Sequence, residues 1–134
     1  MRFKIYLTIE GNNFNPTLFN NMLDELITGE VIQRKRVGSH ALNENTNLTY
    51  WRSKSYEVTA SNYPEDTLFN LITLLANNAQ DFLAKESVKI SANIVEYLKH
   101  TDSPRGFFFS SELIKVLAQL NAEIDTDIVY DLQR

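Results

Sequence analysis

The sequence predicts an α+β fold of the order β-α-β-β-α-β, extended at its C-terminal end by one more helix and strand. Two observations carry this reading. Apolar residues alternate at the start of the chain and again after the second helical stretch, the period of strands with one buried face. The last quarter, Ser110 to Tyr130, then turns at Asn121-Ala122 from a capped amphipathic helix into an alternating strand edged with acids.

The elements follow in order. Phe3, Ile5, Leu7 and Ile9 alternate with Lys4, Tyr6, Thr8 and Glu10. Gly11 to Pro16 breaks that strand, with Asn15 placed to cap and Pro16 suited to a first helical turn. A helix is expected over 16–27 with Leu18, Phe19, Met22, Leu23 and Leu26 inward, stopped by Thr28-Gly29. Strand patterns over 30–37 and 48–60, joined by a polar Asn-rich loop, make a hairpin. Pro64-Glu65-Asp66-Thr67 opens a second helix with acids where the helix dipole favours them, and apolar spacing carries it to about Lys85. Val88, Ile90, Ala92 and Ile94 form the next strand. Ser110 caps the third helix, with Leu113, Ile114, Leu117 and Leu120 as its stripe, and Ile124, Ile128 and Tyr130 face inward from the closing strand. The β-α-β-β-α-β order is that of a ferredoxin-like core, with helices packed on one face of a mostly antiparallel sheet and the other face free to bind.

A chain of 134 residues fits a single α+β domain, 1–134. Apolar residues at 43% and charged residues at 22% place it among ordinary globular proteins rather than disordered ones. It holds no cysteine, which excludes disulfides, thiolate nucleophiles and sulfur-ligated metals. The N-terminal apolar residues alternate and stop at Glu10, too early for a signal-peptide core, and no run approaches membrane-spanning length. A cytoplasmic protein without membrane contact is the expectation.

Order and residues together resemble an uncharacterised bacterial family, domain of unknown function 4279. The likeness rests on an opening strand ending in Glu10-Gly11 before a Pro-capped helix, a lone Trp51 in the second half of the hairpin, and the ending Ser-Ser-Glu-Leu followed by Leu117 to Ile128. In that family a glycine often precedes the apolar residue ending the first helical region, and another sits near the last helix-to-strand corner. Here Gly29 is displaced, and Asn121 must supply the left-handed corner. The resemblance brings no catalytic residues. It implies a small stand-alone bacterial α+β protein of the immunity-like kind that neutralises a toxin.

Several groupings invite a functional reading. Glu123, Asp125, Asp127 and Asp131 crowd the last strand, with Asp125 and Asp127 on one face and roughly 7 Å apart along the backbone. They form either a solvent face that could meet a partner or part of a cation site, for which the sequence names no further ligand. Arg34, Lys35 and Arg36 with Tyr50, Trp51, Arg52, Lys54 and Tyr56 mix base and aromatic as single-strand nucleic-acid platforms do. Strand alternation divides them between two faces, and a net charge of −4 opposes a phosphate-neutralising binder. His100, Asp102 and Ser103 crowd one turn and cannot converge on a single reacting atom, so a polar turn is expected. Trp51 is either a core anchor or a large rigid contact on the open sheet face. Phe107, Phe108 and Phe109 cannot all face one way in an extended segment.

The expected function is accordingly non-enzymatic binding, an immunity-type inhibitor of a bacterial toxin, with Trp51, Glu123, Asp125, Asp127 and Asp131 as candidate partner-binding residues. The partner is a basic toxin domain, with no nucleic acid, membrane or cofactor involved. The alternative is a small-molecule-sensing regulatory domain that acts as a dimer.

Overall fold

The computed structural model describes residues 1–23, 26–35, 47–59 and 62–131. Along the chain it runs β1 (Arg2–Glu10), α1 (Pro16–Leu23), β2 (Gly29–Lys35), β3 (Asn47–Ser53), β4 (Tyr56–Thr59), α2 (Pro64–Lys85), β5 (Lys89–Lys99), α3 (Ser111–Gln119) and β6 (Glu123–Asp131). The result is an α+β fold with three helices and a mostly antiparallel sheet of six strands among the described residues. The sheet order is β2-β3-β1-β5-β6, with β4 also paired to β1. β6 lies parallel to β5, which makes the sheet mixed; every other pairing is antiparallel.

The alternation of β1 decides which face is covered. Phe3, Ile5, Leu7 and Ile9 are all fully buried, and their β5 neighbours Ile90, Ala92 and Ile94 continue the same layer. All three helices feed this single cluster, through Phe19 and Leu23, through Leu68, Ile72, Leu75 and Leu83, and through Leu113 and Leu117.

The expected helix starts are seen. Asn15 Oδ1 accepts the Leu18 N–H at 3.1 Å, and Ser110 Oγ accepts the Leu113 N–H at 3.1 Å, each meeting an N–H with no partner inside its helix. Asn121 takes φ +52°, the left-handed corner expected of it between α3 and β6.

Three expectations need correction. Leu18, Met22 and Leu26 are exposed, whereas Phe19, Leu23 and Ile27 are buried. Residues 18, 22 and 26 and residues 19, 23 and 27 are two apolar stripes spaced four apart, and only one can face a sheet. Phe19 settles the choice by packing edge-on to Trp51 at 5.0 Å and against Phe82 at 5.9 Å. Ile114 likewise turns outward from α3 while Leu113 and Leu117 carry its contact. Thirdly, the strand expected over 48–60 is two strands. Between the pairs Thr8–Arg52 and Ile5–Tyr56, residues 53–55 oppose only Tyr6 and Leu7, so one extra residue bulges the strand. Ser53 heals the break: its buried hydroxyl accepts the Leu7 N–H at 2.9 Å and donates to the Lys54 carbonyl at 3.0 Å. Residues 36–46, on which most of the expected Asn-rich loop falls together with Arg36 and His40, lie outside the described residues.

Leu75→Ala should cost about 2–5 kcal/mol, the transfer energy of the lost methyl groups plus the cavity they leave. Urea unfolding checks it, since Leu75 is fully buried where α2 meets the sheet. Gly29→Ala should cost about 1–3 kcal/mol as overpacking, because a Cβ at Gly29 would overlap the Trp51 indole. Burial of Trp51 makes its fluorescence the natural readout for both unfolding curves.

Candidate functional site at the acidic edge strand

The face of the sheet opposite the core carries Arg2, Lys4, Tyr6, Thr8 and Glu10 from β1, with Tyr50 and Arg52 from β3 and Asn93 and Tyr97 from β5. Much of its positive charge is answered within the sheet. Arg2 meets Glu57 at 2.9 Å, Arg52 meets Glu30 at 2.7 Å, and Lys89 reaches Glu123 at 3.8 Å. Arg2 also lies over the Tyr97 ring at 4.3 Å. Exposed pairs of this kind add little stability, and Lys4 on the same face forms no ion pair among the described residues. Asn93 is buried there and donates to the Tyr6 and Ser91 carbonyls at 3.3 and 3.1 Å.

The acids of β6 are placed by its register. Glu123 lies opposite Ser91, Asp125 opposite Asn93 and Asp127 opposite Val95, so all three share this open face. Asp125 and Asp127 are exposed and form no ion pair among the described residues. Asp125 is felt across the sheet at Tyr6. Burial pushes that hydroxyl's pKa upward, Arg52 opposes the shift and Asp125 adds to it. Asp127 Oδ1 accepts the Ile128 N–H of its own strand at 2.9 Å.

The helix-side residues of β6 depart from expectation. Ile124 is half-buried against the core, but Ile128 is 42% exposed and Tyr130 48%. β6 is the last strand of the sheet, and its helix-side residues beyond Ile124 are exposed, so the end of β6 runs out uncovered. Asp131 closes the strand opposite Lys99, its side chain outside the described set. Trp51 stands apart from these acids. It is fully buried, and its Nε1 donates to Asn20 Oδ1 at 3.0 Å, which places it among the core residues rather than on the open face.

A second feature was hidden in the sequence. Glu65, in the first turn of α2, receives both terminal nitrogens of Arg105 at 2.9 Å and the Phe108 N–H at 2.8 Å. Glu96 is fully buried on the core face of β5, and its Oε1 accepts the Arg105 N–H at 2.9 Å. The two carboxylates clamp the segment leading into α3. Phe107 and Phe109 stack on one another, Phe107 meets Phe3 edge-on, and Phe108 is left 78% exposed. Tyr63, just before α2, and Glu65, Asp66 and Phe69 within it then face Arg105, Phe108 and Glu112 across a cleft of about 620 Å³. Glu65 reads in sequence as a dipole-compensating acid. Glu96 did carry a signal, since it falls on the buried parity of Ile90, Ala92, Ile94 and Leu98. In the turn at 99–102, Asp102 Oδ2 accepts the Lys99 N–H at 2.9 Å and lies 3.7 Å from the N-terminal amine; that N–H bond holds its carboxyl below the ordinary range.

Among the described residues no group of three His, Cys, Asp or Glu side chains is gathered to hold a metal ion, and no helix is long and apolar enough to cross a membrane. Fold and surface therefore define a small α+β domain whose distinguishing exterior feature is an acidic strand at the sheet edge. The chain belongs to the family Domain of unknown function (DUF4279), whose model matches residues 1–131. Comparison with curated proteins and with solved structures finds no match.

Burial alone would raise the Glu65 pKa, but the Arg105 fork and the Phe108 N–H outweigh it and hold the carboxyl below its ordinary 4.5. A depressed folded value gives stability that is complete above the unfolded pKa and lost as pH falls through the folded one. Acid titration of unfolding stability should therefore fall from about pH 4.5 downward, and Glu65→Gln should flatten that fall while lowering stability at neutral pH. Arg105→Ala, which strands Glu65, should cost on the order of 3 kcal/mol near neutrality.

Proposed function

We propose that this domain is a non-enzymatic protein-binding module, an immunity-type inhibitor of a bacterial toxin that meets a basic partner surface with the acidic strand β6. The observation that carries the reading is the unmatched acid of the edge strand. Arg2 and Arg52 are matched with acids, while Asp125 and Asp127 stand exposed and unmatched among the described residues. An unbalanced acidic strip on a chain of net charge −4 steers a basic partner and speeds its association. A cytoplasmic site of action accompanies this reading. The split arrangement in which β1 lies between β3 and β5 supports taking β1 to β5 as a ferredoxin-like core, with α3 and β6 appended.

A specific observation favours a second reading, a small-molecule-sensing regulatory domain acting as a dimer. The cleft between the starts of α2 and α3 has a volume within the range of ligand pockets and presents the aromatic rings of Tyr63, Phe69 and Phe108.

The inhibitor reading predicts a toxin-like protein encoded beside this chain, and Asp125→Asn/Asp127→Asn is tested against that protein. Folding should be nearly unchanged, and the association rate should drop at low salt, with the difference shrinking as added salt screens the field. An unchanged rate at low salt would overturn the role of these acids. So would a saturable rise in melting temperature with Mg²⁺ or Ca²⁺ that vanishes in the double variant, since that marks a bound cation.

A further inference from the structure

We infer that β6 is a docking edge for strand addition, and that its occupant is an extended segment of a partner protein in which basic and apolar residues alternate. The inference rests on the acidic-partner reading and adds to it the backbone geometry of capture. Among the described residues β6 pairs through Ser91–Lys99 on one side only, and no strand lies on its other side. Nine residues of unpaired edge offer a row of N–H and C=O groups that a partner strand can complete.

The usual devices that blunt an edge are weak here. β6 has no proline and no lysine, and its charges lie on the open face instead of pointing into the core. Asp127 shields the Ile128 N–H with its own carboxylate, a contact that an incoming carbonyl can replace.

The two faces of β6 prescribe the chemistry of the incoming strand. Side chains directly across a strand pair share a face. Positions beside Glu123, Asp125 and Asp127 call for lysine or arginine, and positions beside Ile124, Ile128 and Tyr130 call for apolar residues that cover the exposed surface of the last two. A second copy of this chain fits poorly. In antiparallel pairing, centring the pair on Asp127 sets Asp127 against itself, centring on Thr126 sets Asp125 against Asp127, and centring on Asp125 sets Glu123 against Asp127. Like charges directly opposite destabilise a pair, so the acids that attract a basic strand also reject self-association.

The probes are three synthetic peptides: one alternating lysine with valine, one of the same composition in two blocks, and one alternating but N-methylated along a single edge. Calorimetry and amide hydrogen exchange on the whole protein read the result. The alternating peptide should bind and slow exchange of β6 amides, while the block and N-methylated peptides should bind about tenfold more weakly or worse. Asp125→Lys/Asp127→Lys should transfer the preference to a peptide alternating glutamate with valine. Equal affinity for all three cationic peptides, lost in the Asn double variant, would overturn strand addition and leave the acidic surface standing. Absence of binding by every cationic peptide would overturn both. A dimer of the unmodified protein in sedimentation that Ile128→Lys dissociates would give the edge to a second copy and end the proposal.

Discussion

The seating of the Trp51 indole against Gly29 is the constraint on which one half of the domain depends. Gly29 opens β2 and pairs with Ser53, and the indole of Trp51 occupies the space where a side chain at 29 would stand. That contact holds β2 and β3 in one register, because a slip of one residue would carry Trp51 to the open face. Phe19 abuts the ring edge-on and Asn20 accepts its N–H, so the same side chain sets how α1 is turned about its axis. The bulge follows from the same arrangement. Trp51 and Ile9 pair in one register while Tyr56 and Ile5 pair in another, and the extra residue is absorbed where Ser53 can satisfy Leu7.

The other half depends on buried charge. Glu65 and Glu96 would be costly in an apolar interior without partners, and Arg105 with the backbone of 105–108 supplies them. Glu96 Oε2 has no hydrogen-bond partner, so that interaction is not complete even there. Such clamps are weak sources of net stability but strong determinants of where a loop lies, since leaving a buried carboxylate unmet costs more than meeting it returns. The loop they hold leads directly into the Ser110 cap and α3. The path of α3 in turn brings β6 parallel to β5, so the acidic edge owes its location to two acids on the opposite side of the sheet.

The sequence discloses the elements of this fold more fully than their arrangement. Strand alternation, the Asn15 and Ser110 caps, the 64–85 helix and the Asn121 corner are all local, set by a residue and its near neighbours, and local chemistry is legible. The α1 face was not, because two equivalent apolar stripes lie on one helix and the choice between them belongs to Trp51 and Phe82, far away in the chain. The parallel placement of β6 and the break after Ser53 are likewise properties of pairings, which period alone does not encode. In the candidate site, strand parity placed the three acids Glu123, Asp125 and Asp127 on one face. It misjudged Ile128 and Tyr130, whose parity is right but whose cover ends before them. Parity tells which side a residue is on, whereas burial depends on what lies over that side.

That distinction gives the edge strand its meaning. A terminal strand needing only to close a core would carry apolar residues no further than the helix above them reaches, and charge thereafter. β6 continues Ile128 and Tyr130 past that cover while keeping acids on the opposite face at every second position from Glu123 to Asp127. Exposed apolar surface beside an unpaired backbone is an aggregation hazard, and selection removes it unless something is served by it or something restrains it. The acids provide the restraint, because in the antiparallel registers centred on residues 125 to 127 two copies of β6 bring carboxylates together. They restrain only like strands, however. The same alternation that repels a second copy is complementary to a basic one, so a single pattern of side chains guards the edge against self-pairing and leaves it open to a partner of opposite charge.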